Sequence, residues 1–377
     1  MDKKVLYITR LDPSNYQSWS GTTYFIYKAL KSNFNVTTVG PLSNRVRYLF
    51  IFKKYFYSLF KIKFDIDRPI LVAKDFAKQI QLNLKINHYD SIITSEPYLV
   101  TFLETKVPIY IYTDFLFSTY YSNYFFDKKI HNSTIKEGNY CEKIALKKSK
   151  KIILTSKYAI NEASRYYKIN KKKFSKIPFG ANLIRIPDLF TFKKKLFTKN
   201  FTVCNLISVG VHWDRKGMAK ACKLVDKINL KGLKAKLYII GAKPPLSNKI
   251  SPNVILIDFL KKDSFKDQKL FNDLMYKSHF HILFSESEAF GIANVEASVF
   301  GLYNITHDIG GIEGAVTNNL NGFRFPKNKS IDFIADHIIN IFSNKKNYLE
   351  SSIKIRNFYE KNLSWDIISL KLKKIIN

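Results

Sequence analysis

Acidic side chains are scarce in this chain. Asp and Glu number 30 against 62 Lys and Arg, which leaves a formal net charge of +32. Three readings of that charge stay open: nucleic-acid binding, attraction to an anionic membrane, and a compositional drift towards Lys, Ile, Asn and Phe. The scatter of Lys from end to end favours drift for much of it. Cysteine is rare too. Cys141, Cys204 and Cys222 are odd in number and contain no CxxC pair, which argues against a disulfide framework and a zinc-site spacing and makes a reducing cytosol the expected location. Long apolar runs are missing. The nearest candidate, Pro108 to Phe126, carries Asp114 and many hydroxyl groups, so no spanning helix is expected. The opening Met1-Asp-Lys-Lys followed by Val5 to Thr9 has too short an apolar run for a secretory signal, and export is not expected.

Apolar residues make up 46% and aromatics 15% of the 377 residues, too rich for a disordered chain and long enough for two domains. Val5 to Thr9 reads as a strand. A loop to Ser20-Gly21-Thr22 and a helical pattern to Leu30 follow. Further strand-like runs at Val36–Val39, Ser91–Thr94, Ile109–Tyr112 and Lys151–Leu154 alternate with helical sequence, the pattern of a mostly parallel sheet. The pattern restarts with Val203–Val209, Lys236–Ile240, Val254–Leu256, His281–Phe284 and Tyr303–Thr306. The chain is therefore read as α/β, with domains at 1–185 and 201–357, an exposed linker at 186–200 holding Pro187 and Lys193-Lys194-Lys195, and a C-terminal helical segment at 358–377. Ligands of open α/β sheets bind at the carboxyl ends of the strands, so a cleft between the domains is the expected site.

The stretch Ser285 to Ser298 is the most informative. It follows a strand, turns at a glycine and continues into helix-compatible residues. Glu288 lies on the loop and Glu296 about a turn into the helix, so both can face one cleft. Backbone N–H groups of Phe290, Gly291 and Ile292 fall at the expected helix N-terminus, where free donors and the helix dipole favour a phosphate. Carboxylates beside them can accept from sugar hydroxyls. The alternative, acidic residues acting as caps and dipole partners, stays open on these residues alone.

Glu288 through Glu296 resembles the E-x7-E signature of GT-B glycosyltransferases of family 4. Other segments agree in order. Thr155 to Ala159, Tyr167 and Lys176-Ile-Pro-Phe-Gly-Ala-Asn182 are similar to the end of that family's first domain. Val209-Gly210 with Asp214-Arg-Lys-Gly217 resembles the opening of its second. Gly310-Gly311-Ile312, Asn321-Gly322-Phe323 with Pro326, and Ser364-Trp365 look like its later motifs.

The resemblance implies a GT-B fold of two Rossmann-like domains, with the segment from about Phe358 crossing back to the first. It also implies a retaining, metal-independent transfer of a sugar from a nucleotide-sugar donor to a hydroxyl of a glycan or lipid-linked acceptor, with uridine the commonest base and no other cofactor. Glu296 would hold the ribose hydroxyls. Glu288 would contact the donor sugar, with help from the amides of Phe290, Gly291 and Ile292. Arg215 and Lys216 would neutralise the leaving diphosphate, a task that otherwise falls to a metal ion. Gly210 and the Gly21-Thr22 loop would let backbone approach the donor, and Asp114 would lie near the reacting sugar unless it caps the next helix. Many members carry Arg just after the Val-Gly pair, where this chain has Val211-His212. Whether Arg215 takes that place stays open. A nucleotide-sugar epimerase and a non-catalytic membrane or polysaccharide-assembly subunit are the rival readings.

His279 and His281, two apart in a strand, read as core histidines with satisfied partners, since no carboxylate or cysteine cluster accompanies them. No metal site is expected. Arg45 to Phe64 holds six basic and no acidic residues among many aromatics. As a helix it either lies in an anionic membrane interface, giving a cytoplasmic protein peripheral on the inner face, or is buried against the first sheet. No nucleic-acid partner is expected, because no recognition motif accompanies the basic residues.

Overall fold

A computed structural model describes residues 3–124, 129–246 and 250–377. The last residues of the Pro108 to Phe126 run lie outside them. Among the described residues no helix is long and apolar enough to cross a membrane. The chain forms two compact units, Met1–Pro178 with Ile368–Asn377, and Phe179–Ile367.

The first unit contains, in order, β1 (Lys4–Ile8), α1 (Thr22–Lys31), β2 (Asn35–Val39), α2 (Tyr48–Leu59), β3 (Ile62–Lys63), α3 (Ile70–Ile86), β4 (Ser91–Thr94), β5 (Ile109–Thr113), α4 (Phe117–Tyr124), β6 (Lys129–Ile130), α5 (Asn132–Lys148), β7 (Lys151–Leu154), α6 (Lys157–Tyr167) and β8 (Phe174–Lys176). Six strands form one parallel sheet in the order β2-β1-β4-β5-β7-β8, and β3 pairs with β6. Strands of such a sheet are covered by helices on both faces and therefore read as short continuous apolar runs. Ile109 to Tyr112 is buried residue by residue.

The second unit contains α7 (Leu189–Phe197), β9 (Cys204–Val209), α8 (Met218–Leu230), β10 (Ala235–Ile240), β11 (Val254–Ile257), α9 (Phe265–Lys277), β12 (Phe280–Leu283), α10 (Ile292–Val299), β13 (Tyr303–His307), β14 (Gly322–Phe325), α11 (Ile331–Ser343) and α12 (Lys345–Asn362). Its parallel sheet runs β11-β10-β9-β12-β13-β14. In each sheet the strand order reverses beside the first strand, between β1 and β4 and between β9 and β12. That is where a doubly wound fold leaves a crevice at the carboxyl ends.

The segment 186–200, expected as an exposed linker, is largely helical. Asp188 accepts the Thr191 amide at the start of α7, and Phe192 and Leu196 enter the core of the second unit. The three consecutive lysines suggested a solvated tether, but an amphipathic helix accommodates them on its outer face. Residues 358–362, expected in the crossing segment, complete α12 and bury Tyr359. The last helix, α13 (Trp365–Ile376), starts later. Trp365 stacks on Phe179, with ring centroids 6.2 Å apart, and its indole donates to Asn182 Oδ1 at 3.3 Å. From Ile368 onward the helix belongs to the first unit, where the Ile376 carbonyl accepts from the Tyr110 hydroxyl at 3.3 Å.

Replacing Phe192, which is 1% exposed, by Ala is expected to destabilise the second unit by about 3–5 kcal/mol. Phe190→Ala on the outer side of α7, where the side chain is 78% exposed, should change stability by less than about 0.5 kcal/mol. Urea unfolding of the two variants checks both values, and equal midpoints would return the segment to a tether.

Candidate active site

At the carboxyl end of β12 the chain turns through Ser285 to Gly291 and enters α10. Gly291, at φ +83°, caps that helix in the left-handed region without a side-chain hydrogen bond, so the α10 amides open towards the turn. The turn is held by a second glycine. Gly310 has φ +55°, and a Cβ there would lie 2.2 Å from the Glu288 carbonyl oxygen. The Gly311 amide donates to that same oxygen at 3.1 Å.

The Glu288 carboxylate is buried. Its Oε2 accepts from Lys216 Nζ at 2.6 Å and from the Ser285 hydroxyl at 3.0 Å, and Arg215 Nη1 lies 3.8 Å away. Burial pushes the Glu288 carboxyl up, but Lys216, Arg215 and the hydrogen bonds from Lys216 and Ser285 outweigh it and hold the group below the ordinary carboxylate range. Lys216 arrives from the loop after β9. Gly210 gives its stem room, since a Cβ there would sit 2.9 Å from Lys216 Cγ. Arg215 also donates to the Ser287 carbonyl at 3.3 Å, while the Arg215 carbonyl accepts the Glu286 amide at 2.8 Å. Two cations and one carboxylate from neighbouring strand ends therefore meet at the topological reversal. Val211, where the resemblance places an arginine, is 53% exposed.

Glu296 lies in the second turn of α10 and is 3% exposed. Its Oε1 accepts from Lys262 Nζ at 2.6 Å. Lys262, on the loop between β11 and α9, escaped the sequence reading because 34 residues separate the pair. His307 escaped it too. Its Nδ1 lies 3.1 Å from the Ser285 carbonyl and its Nε2 2.8 Å from Lys220 Nζ, so the ring donates to the turn through Nδ1 and accepts from the lysine. Phe290, 2% exposed, packs edge-to-face on Phe179.

The three histidines near these strands are buried and bonded. His279 accepts the Asn205 amide at Nδ1 and faces the Asn200 carbonyl with Nε2. His281 Nδ1 lies 3.0 and 3.1 Å from the side-chain oxygens of Asn294 and Asn304. Among the described residues no group of His, Cys, Asp and Glu has the arrangement of a metal site.

In the first unit Asp114 follows β5, and its carboxylate accepts the Phe115 amide at 2.7 Å. The Phe117 amide, which opens α4, donates to the buried Glu142 instead, at 2.8 Å. Burial pushes the Glu142 carboxyl up to about 7. Gly21, at φ +90°, caps α1, and Trp19 and Ser20 before it also have positive φ, so the loop after β1 turns sharply into buried Thr22. At the β1/β4 reversal, Glu96 accepts the Arg10 amide at 2.7 Å, and Arg10 also pairs with Asp67.

Residues 192–358 match the family described as glycosyl transferases group 1. The matched residues lie within the second unit. The phosphatidylinositol N-acetylglucosaminyltransferase gpi3 subunit of Schizosaccharomyces pombe is 29% identical over 106 residues, which is 27% of this chain and 22% of that protein. Sucrose-phosphate synthase of Thermosynechococcus elongatus shares the fold with a TM-score of 0.71 at 14% identity, over 99% of this chain and 98% of that one. A glycosyltransferase of Rickettsia africae aligns with a TM-score of 0.67 at 18% identity, over 100% and 98%. An Anabaena protein, HepE, solved with UDP-glucose, aligns at 0.63 and 12% identity over 99% of both chains. The architecture is the GT-B fold, with two Rossmann-like domains.

Burial lowers the His281 and His307 rings to about 4. Both should stay neutral in the folded protein down to about pH 5, whereas an unfolded chain takes up protons near pH 6.5. Their stabilising contribution is therefore present above about pH 6.5 and is lost as pH falls towards about 4, amounting to roughly 1–2 kcal/mol per ring by pH 5. Ring-proton NMR titration together with denaturation at pH 7 and pH 5 measures this. Either ring titrating near 6.5 in the folded protein would refute it.

Proposed function

We propose that the chain is a retaining glycosyltransferase that moves a sugar from a nucleotide-sugar donor to a hydroxyl of a glycan or lipid-linked acceptor, in polysaccharide or glycolipid synthesis. The observation that carries this is the buried Glu288 carboxylate held by Lys216 at the β9/β12 reversal, within the segment that matches the group 1 family. The UDP-glucose complex of the similarly folded HepE supports a nucleotide-sugar donor.

On this reading Glu296, now bonded to Lys262, receives the ribose hydroxyls, and the diphosphate approaches the amides of Phe290, Gly291 and Ile292. Glu288 orients the donor sugar. Lys216 and Arg215 stabilise the negative charge that grows on the departing diphosphate, so no resident metal ion is required for that task. The acceptor oxygen attacks on the face the diphosphate leaves. The C–O bond to the acceptor forms as the bond to the phosphate oxygen breaks, and that oxygen takes the acceptor proton. Gly210, Gly21, Thr22 and Asp114 keep the roles the family resemblance implies. The protein works on the cytoplasmic side, peripheral to a membrane.

Glu296→Ala is expected to weaken nucleotide binding by about one to two decades with the fold intact, since a hydrogen bond to a charged group is worth roughly 1.5–3 kcal/mol. Calorimetric titration with a nucleotide panel reads this, and undiminished affinity would remove the ribose role. Lys216→Ala should lower kcat more than it raises KM, because the charge it meets is largest in the transition state. Activity should survive EDTA. Donor turnover that frees nucleotide without any acceptor alcohol would favour the epimerase, and binding without turnover the non-catalytic subunit.

A further inference from the structure

Helix α2 has no buried residue. The alternative of a helix buried against the first sheet is not what the fold contains, and the helix is shorter than the 45–64 stretch. Lys61 lies beyond its end with φ +57°. The helix is anchored through one narrow edge. Phe50 stacks on the buried Phe64 with ring centroids 6.4 Å apart, and Tyr57 packs on Phe64 and His131 at 6.0 and 4.1 Å.

At 100° per residue, Phe50 and Tyr57 occupy nearly the same angular position. The opposite side carries Tyr48, Phe52, Tyr55, Phe56 and Leu59, which are 68%, 78%, 65%, 46% and 80% exposed. These five fall at i, i+4, i+7, i+8 and i+11, within a single arc of the helix. An amphipathic helix on a globular unit normally turns such an arc to the core. Here the arc points to solvent, and Phe60 extends it at 60% exposure.

Charge surrounds the arc. Arg45, Arg47, Lys53, Lys54 and Lys61 are exposed, and no acidic residue lies between Arg45 and Phe64. Large aromatics on the outermost face, with lysines flanking the anchored edge, suit a partner that is apolar at depth and anionic at its surface.

We infer that α2 lies flat in the interface of an anionic lipid bilayer, with Tyr48, Phe52, Tyr55, Phe56 and Leu59 sunk between headgroups and the flanking Arg and Lys side chains on the lipid phosphates. This rests on the membrane-peripheral part of the proposed function and names the element that makes the contact. Twelve helical residues span about 18 Å, too short to cross a bilayer and suited to lying along one. Basic side chains draw the helix to the surface in a salt-dependent way, and the apolar arc holds it in a way that salt does not screen.

Sedimentation of the full chain with mixed phosphatidylcholine and phosphatidylglycerol vesicles tests this. The combined variant Phe52→Ser, Tyr55→Ser, Leu59→Ser should lose binding by about tenfold or more at low and high salt alike, because each large apolar side chain buried is worth about a decade of partition. Lys53→Ser with Lys54→Ser should weaken binding at low salt only. Leu230→Ser, at an 80% exposed position on α8, should change nothing. A Tyr55→Trp variant should be quenched by brominated lipid. Unchanged binding by the triple variant, or absence of quenching, overturns the proposal. So does a change in the triple variant's sedimentation coefficient without vesicles, which would make a second copy of the chain the occupant. Neither readout uses donor or acceptor, so failure here leaves the glycosyl-transfer reading standing, and failure of that reading leaves the docking measurement interpretable.

Discussion

A carboxylate taken out of water must be matched by positive charge or it will hold a proton, and the second unit is organised around that constraint at Glu288. The match comes from Lys216 at 2.6 Å, and it requires the ends of β9 and β12 to be neighbours although 72 residues separate the two side chains. Several small residues follow from it. Gly210 leaves room for the lysine stem, and Gly310 lets the backbone behind Glu288 close. Gly217, at φ +66°, brings α8 against the Phe284 carbonyl, which a Cβ would meet at 2.0 Å. The glycines are spread over a hundred positions of sequence but serve one short contact.

The strands were the most legible part of the fold. Ser91 to Thr94 and Lys151 to Leu154 are read from sequence with the bounds they have in the structure, because a parallel strand covered on both faces leaves an uninterrupted apolar run. The strands β8 and β14 were not read. Each has three or four residues, and polar or glycine positions break the run. Helix α7 was hidden by Lys193 to Lys195, whose charge dominates a nine-residue segment that buries only two side chains. The orientation of α2 was beyond the sequence, since a nearly all-apolar helix does not say which side faces the sheet.

The site divides along the same line. Glu288, Glu296, Arg215 and Lys216 lie in short motifs where spacing carries information. Lys262 and His307 act through partners that only the folded sheet brings close, and a lysine in a chain this rich in lysine gives no signal by itself. The basic composition nevertheless shapes the site. Burial and nearby lysines both disfavour a proton on His279, His281 and His307, so these rings serve as fixed neutral struts. Both buried carboxylates of the motif meet a lysine at 2.6 Å.

Helix α13 makes the first unit discontinuous in sequence. Its apolar face, Ile368, Leu372 and Ile376, is fully buried, and the Ile376 carbonyl serves both Tyr110 and Lys3. During synthesis the ribosome delivers β1 to β8 long before that helix exists, whereas the second unit needs nothing encoded after Ile367. The part made first is thus completed last. Until that helix emerges, the surface around Tyr110 on the first sheet must wait uncovered, a vectorial cost that falls on the emerging chain and is absent when the protein refolds from denaturant.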